Sequence, residues 1–176
     1  VVYLHRTEGV SSSEIRAEKQ ANRFGFFGGY TDVLKKYYQE SKYVNGIICS
    51  GVCTFDQTIR LDLDEKVAVF QTYEELLQAS DAVYIASSPK SHYEQIKKAL
   101  QQGKHVLCES PVCCDGEQYK ELQEFAKKNQ LVLMDAIKTA YATAYNRLML
   151  LVKSGRIGKV VSVDATCTSL KDVNDP

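Results

Sequence analysis

Strand-like and helix-like segments alternate along this chain with few interruptions, and that alternation restricts its fold more than any other feature. It is clearest over residues 82–111, AVYIASSPKSHYEQIKKALQQGKHVLCESP. Residues 82–86 are a short apolar, β-favouring run that stops at Ser87-Ser88-Pro89, because proline cannot continue a central ladder. Tyr93, Ile96, Ala99 and Leu100 then recur at helical spacing, with Glu94, Lys97, Lys98 and Gln101 on the opposite face. Gly103 ends that helix, and His105-Val106-Leu107-Cys108 resumes strand character. Two parallel strands bridged by a helix form one βαβ unit, and such sheets bind ligands just beyond the C-terminal ends of their strands. Ser87-Ser88-Pro89 and Glu109-Ser110-Pro111 both fall at those ends, so two polar clusters are expected on one edge.

The alternation extends on either side. Residues 23–27 predict a strand, followed by Gly28-Gly29-Tyr30-Thr31-Asp32 and a helix with Val33, Leu34, Tyr37 and Tyr38 on its apolar face. A Rossmann unit places its G-x-G-x-x-G turn here, with a pyrophosphate on the helix N-terminus. Gly28 takes the first glycine position, but Tyr30 and Val33 stand at the second and third. Tyr30 crowds the backbone approach a pyrophosphate requires, so the turn reads either as a rebuilt cradle or as a plain turn. Residues 44–50 predict the second strand. The acidic residue that holds ribose hydroxyls about 20 residues beyond the glycine turn is missing at Cys49-Ser50-Gly51. Ser50 there is compatible with NADP, with Arg60 as phosphate partner, and equally with a site that has lost its dinucleotide.

Residues 66–70 predict a third strand, and Thr72 with Glu75 forms a capping box for a helix burying Leu76 and Leu77. Asp115 and Gln118 cap a longer helix whose Tyr119, Leu122, Phe125 and Ala126 are expected to face inward. Residues 131–134 predict a sixth strand. The whole reads as an α/β chain with a doubly wound parallel sheet covered on both faces. A further helix carries Tyr145, Leu148, Met149 and Val152 on one stripe. Val161, Val163, Ala165 and Cys167 then alternate with polar residues, as in a half-buried strand.

Bulk composition sets limits. With 22 basic and 22 acidic residues among 176, the chain has no net charge, and nothing favours a nucleic-acid or membrane partner. No apolar run reaches the ~18 residues of a membrane span, and no signal-peptide core opens the sequence. Six cysteines without a CxxC pair read as reduced thiols and imply a cytoplasmic protein. Cys49 and Cys53 lack the further ligands of a zinc site, so no metal is expected.

The run Ser88-Pro89-Lys90-Ser91-His92, with Glu109-Ser110-Pro111, resembles the Gfo/Idh/MocA oxidoreductases, NAD(P)-dependent enzymes of sugars and polyols. There the corresponding strands end in Thr/Ser-Pro-x-x-x-His and Glu-Lys-Pro. The resemblance covers roughly residues 23–170. It implies NAD or NADP as cofactor, a sugar or polyol as substrate, and Gly28, Gly29, Tyr30, Thr31, Ser50, Ser87, Ser88, Pro89, His92, Glu109, Ser110 and Pro111 around the cofactor. Ser110 stands where that family has a lysine contacting nicotinamide and substrate. Lys138, after the sixth strand, is then a candidate to take the alcohol proton as hydride leaves, since a desolvated lysine of lowered pKa can do so. The alternative for Lys138 is a surface lysine at a domain junction. His92 is the second catalytic candidate by position, its alternative being a histidine that caps its own helix. His105, within a strand, reads as structural.

Arg6-Thr7-Glu8-Gly9-Val10-Ser11-Ser12-Ser13 resembles the RTxGISTT signature of glycerol-3-phosphate-type cytidylyltransferases. That resemblance implies phosphate contacts from Arg6, Thr7, Ser11 and Ser12 at a helix start. The family's HxGH motif is absent, so cytidylyl transfer is not expected from this chain alone. The expected organisation is a remnant of such a domain over 1–20, a Rossmann domain over 21–140, and over 141–176 the truncated start of an α+β substrate domain, leaving room for a homo-oligomer. The chain thus reads as part of a longer, two-function oxidoreductase and as inactive alone. A non-catalytic Rossmann module with a regulatory or oligomerisation role is the alternative, because fold does not imply function.

Overall fold

The computed structural model describes residues 21–29, 31–55 and 63–166. Among them the elements follow as β1 (Asn22–Gly28), α1 (Thr31–Ser41), β2 (Ile47–Cys53), α2 (Tyr73–Ala79), β3 (Ala82–Ala86), α3 (Pro89–Gln101), β4 (His105–Cys108), α4 (Gly116–Lys128), β5 (Leu133–Asp135), α5 (Lys138–Tyr141) and α6 (Thr143–Lys153). The strands form one sheet in the order β2-β1-β3-β4-β5, and every pairing is parallel. The strand order reverses at β1, which has β2 on one side and β3 on the other, as in a doubly wound sheet. The α/β Rossmann class expected from the alternation is therefore the observed one.

Period-two alternation distributes the strand residues between two cores. Phe27, Cys53, Val83, Ile85, Val106 and Cys108 pack on one face with Leu76 and Leu77 of α2, Ile96, Ala99 and Leu100 of α3, and Leu122 and Ala126 of α4. Phe26, Val52, Tyr84 and Ala86 face the other way, against Leu34 and Tyr38 of α1. Each fully buried leucine or isoleucine contributes about 1.5–3 kcal/mol. The α2 capping box forms in both directions, Thr72 Oγ1 accepting from Glu75 N and the Glu75 carboxylate from Thr72 N. Asp115 caps α4 by accepting from Glu117 N at 2.7 Å and Gln118 N at 3.4 Å.

Several boundaries differ from the sequence reading. The second strand runs Ile47–Cys53 rather than 44–50. A bulge leaves Ser50 as its extra residue, since Phe24 pairs with Cys49 and Gly25 with Gly51. The strand expected at 66–70 is only a parallel bridge, Val52 to Val69, held by Val52 N to Ala68 O and Phe70 N to Val52 O, both 2.9 Å. Strand β5 comprises three residues, starting two later than expected. Tyr119 and Phe125 are exposed, because the short β5 gives α4 little sheet to cover beyond Leu122 and Ala126. Residues 161–166 form no strand and are exposed: among the described residues none pairs with them. Arg60 and the remnant expected over 1–20 lie outside the described residues.

The chain divides into two compact units after Ala136. The first holds the sheet. The second holds α5 and α6, and α6 carries exposed Tyr145, Leu148, Leu150 and Leu151.

Candidate cofactor site

The parallel sheet brings the C-terminal tips of β2, β1, β3 and β4 side by side along one edge. Gly28 closes β1 at φ +143°, and a Cβ there would lie 1.9 Å from Ala86 O, so only glycine allows β1 to run this close to the tip of β3. The fold therefore demands Gly28 whether or not a ligand binds. Gly29, the next residue, is exposed and has nothing within 4 Å of where a Cβ would be. Tyr30 and the Thr31 side chain lie outside the described residues.

At the tip of β3, Ser87 is buried and donates its hydroxyl to Gln95 Oε1. Ser88 is exposed, and as N-cap of α3 its hydroxyl makes no capping bond, while Pro89 occupies the first turn without losing a helical hydrogen bond. The N-terminus of α3 thus presents the uncapped Ser88 hydroxyl beside the Lys90 end of the helix, while Ser91 N is bonded to Ser88 O at 2.9 Å.

His92 is fully buried, with Nδ1 2.8 Å from Pro111 O and Nε2 3.0 Å from Ser87 O. Both ring nitrogens are occupied by backbone carbonyls of the two loops at the site edge. An acid–base group must reach its substrate's proton within hydrogen-bond range, and this ring has no surface from which to do so. The catalytic expectation for His92 is corrected accordingly: it ties the Ser87 turn to the Pro111 loop, closer to the capping alternative. His105 is also structural, its Nδ1 accepting from Val132 N at 3.0 Å.

Glu109, Ser110 and Pro111 leave the tip of β4, with Glu109 N bonded to Ile85 O at 2.9 Å. Ser110 and Pro111 are exposed, and Ser110 Oγ stands 3.5 Å from Asp135 Oδ2 at the end of β5. Glu109 is half-buried and accepts a short hydrogen bond from the hydroxyl of Tyr84, a residue with no exposed surface. Tyr37 of α1 stacks on Tyr84, centroids 4.3 Å apart at 24°. Burial above all, then the hydrogen bond to Glu109 and its charge, drive the Tyr84 hydroxyl far above its ordinary range, so it remains a donor. Burial followed by the charge of Glu109 also raises Tyr37, and its side-chain interaction with Tyr84 partly offsets this. Sequence reasoning missed this anchor. The only signal available was a tyrosine within an otherwise aliphatic strand.

Ser50 is not brought to this edge. The bulge holds it within β2, its Oγ 2.7 Å from Ser80 Oγ, and Ser80 is buried behind the C-terminus of α2. The tip of β2 is instead Cys53, Thr54 and Phe55, with Cys53 buried and Phe55 82% exposed. Lys138 opens α5 in the second unit and is exposed. Arg6, Thr7, Ser11 and Ser12 lie outside the described residues. Among the described residues no three His, Cys, Asp or Glu side chains cluster as metal ligands, and no helix is long and apolar enough to cross a membrane.

A parallel, doubly wound sheet with polar loops gathered at its C-terminal edge defines a Rossmann domain of the nucleotide-binding kind. Residues 56–136 match the GFO_IDH_MocA family model, described as an oxidoreductase family with an NAD-binding Rossmann fold. The chain is similar to scyllo-inositol 2-dehydrogenase (NADP(+)) IolU of Bacillus subtilis, 43% identical over 68 residues, which is 39% of this chain and 21% of the relative. It is also similar to D-xylose 1-dehydrogenase (NADP(+)) of Hypocrea jecorina, 33% identical over 103 residues, 57% of this chain and 26% of the relative. Among solved structures, apo scyllo-inositol dehydrogenase from Lactobacillus casei superposes with a TM-score of 0.69 at 24% identity, covering 79% of this chain and 44% of that one. The aligned part of this chain thus spans about a fifth to a quarter of these two curated relatives.

Proposed function

We propose that this chain carries the cofactor-binding part of an NAD(P)-dependent oxidoreductase acting on a sugar or polyol. The observation that carries the reading is the convergence of Ser88, Glu109 and Ser110 on one edge of adjacent parallel strands, within the stretch that matches the family model. The residues present fit a dinucleotide: Gly29 is open to close approach, the N-terminus of α3 offers hydroxyl and N–H donors, and Glu109 is a held carboxylate suited to ribose hydroxyls. When bound, the nicotinamide would supply the hydride exchange. Within the chain, Tyr84 fixes Glu109 and His92 fixes the two loops. Lys138 is the proposed acceptor of the alcohol proton, in place of the lysine replaced by Ser110. The dehydrogenase names of the relatives support a sugar or polyol substrate.

Calorimetric titration with NADH and with NADPH tests the reading. Saturable binding of either supports it, and no binding of both at millimolar concentration rejects it. Turnover unchanged by Lys138→Ala, in an active protein containing this chain, would discard the lysine's role. Ser110 in place of lysine and Tyr30 in the glycine turn favour the second reading, a non-catalytic module that keeps the fold for regulation or assembly. The Arg6, Thr7, Ser11 and Ser12 run supports a separate proposal, an anion site inherited from a cytidylyltransferase-like partner domain; CTP titration of the whole polypeptide checks it.

A further inference from the structure

Phe55 is an anomaly of the site edge. It is a large apolar side chain left 82% exposed two residues past the end of β2. It is nevertheless seated. Its ring meets Phe27 edge-to-face, centroids 6.4 Å apart at 72°, and Phe27 is itself stacked on Tyr73 at 4.0 Å and 29°. Phe27 and Tyr73 are buried, so Phe55 is the outward end of a row of three aromatic rings rooted in the core. Exposing a ring forgoes about 1.5–3 kcal/mol of burial that a packed phenylalanine would gain. A flat apolar face held at a ligand edge suits one kind of partner, a planar aromatic ring. In a dinucleotide site the tip of the second strand adjoins the adenosine half, where a carboxylate ordinarily holds the ribose. Here Cys53, Thr54 and Phe55 contribute no carboxylate.

We infer that Phe55 is the adenine platform of this site, stacking on the purine of the bound dinucleotide. The inference rests on the dinucleotide reading above and assigns its adenosine half to β2. Stacking of a base on an aromatic side chain contributes about 1–3 kcal/mol, which corresponds to roughly 5- to 150-fold in affinity.

The chain contains no tryptophan, so Phe55→Trp introduces a single fluorescent reporter at the platform. Its emission is expected to be quenched saturably by ADP-ribose and by NADH, and to be unmoved by nicotinamide mononucleotide, which lacks adenine. Phe55→Ala and Phe55→Leu, checked by circular dichroism, should bind ADP-ribose and NADH roughly 5- to 150-fold more weakly, the leucine showing that a π-face rather than apolar bulk is required. Wild-type protein that binds NADH or NADPH alongside an alanine variant of equal affinity would overturn the inference while leaving the cofactor site standing. Tryptophan emission unchanged at saturating ADP-ribose would do the same. Wild-type protein that binds neither dinucleotide overturns the cofactor reading itself, and the platform with it.

Discussion

Removing the Tyr84 hydroxyl isolates one buried hydrogen bond at the site. In Tyr84→Phe the ring still fills its space, with no exposed surface, and still stacks on Tyr37, so no cavity opens. What is lost is the donor to the Glu109 carboxylate. A hydrogen bond to a charged group contributes about 1.5–3 kcal/mol, but Glu109 is half-buried and water recovers part of that, leaving about 1–2 kcal/mol. For a chain of 176 residues, 1 kcal/mol moves the thermal midpoint by about 2–4 °C. Urea unfolding should show a lower midpoint with an unchanged slope, since the surface exposed on unfolding stays the same. A pH arm adds a second readout. The folded Tyr84 pKa lies above its ordinary value near 10, so its contribution is complete below pH ~10 and declines as pH rises beyond it, because only the unfolded chain readily ionises there. Tyr84→Phe should therefore lose stability less steeply above pH ~10 than the wild type. A variant as stable as the wild type, with the same alkaline slope, would refute the anchor and reduce Tyr84 to a core residue.

The neighbouring glycines give opposed expectations. Gly28→Ala places a methyl against Ala86 O at a φ of +143° and should cost about 3 kcal/mol or more through overpacking and backbone strain. Gly29→Ala meets nothing within 4 Å and should change stability by less than about 0.5 kcal/mol, while lowering NADH affinity if the turn receives phosphate; chemical denaturation and calorimetry separate the two. Asp81 is held at about 2, first by its side-chain bond with Arg23 and then by Arg23 N. With its pKa depressed, its contribution is present above the ordinary value near 4 and disappears as pH falls toward 2. Because the pair is part-exposed, Asp81→Asn should cost only about 0.5–1 kcal/mol at pH 7, a gap that closes in acid unfolding curves.

The sheet was legible wherever hydrophobic periodicity was unbroken. Ala82–Ala86, Pro89–Gln101 and His105–Cys108 lie where the apolar spacing placed them. The second strand was misplaced because Val44 is β-favouring yet exposed, whereas Gly51, where a Cβ would meet the Phe70 ring and Ala68 O, looks like a terminator. That shift carried Ser50 onto the edge in the sequence reading and kept Phe55 off it. The strand expected at 66–70 shrank to a bridge, its pairing with β2 confined to Val52 through Ala68 O and Phe70 N. His92 shows the general difficulty. A histidine at a strand tip is as consistent with chemistry as with architecture, and only the positions of Ser87 O and Pro111 O separate the two.

Packing supplies a way of sorting the edge residues. Gly28 is fixed by the approach of β1 to β3, His92 by two carbonyls, and Tyr84 by the core; each would be required of a domain that bound nothing. Three residues resist that account. Gly29 has nothing within 4 Å of where a Cβ would be, the Ser88 hydroxyl makes no cap, and the Phe55 ring is 82% exposed. They follow β1, β3 and β2, which are neighbours in the sheet order β2-β1-β3. An extended ligand crossing those tips would meet an aromatic face after β2, an unobstructed backbone after β1 and a helix N-terminus after β3. That sequence of surfaces matches a planar base, a phosphate-bearing middle and a polar far end. The residues that stability leaves unexplained are thus ordered along the edge as the parts of a dinucleotide are ordered along its length.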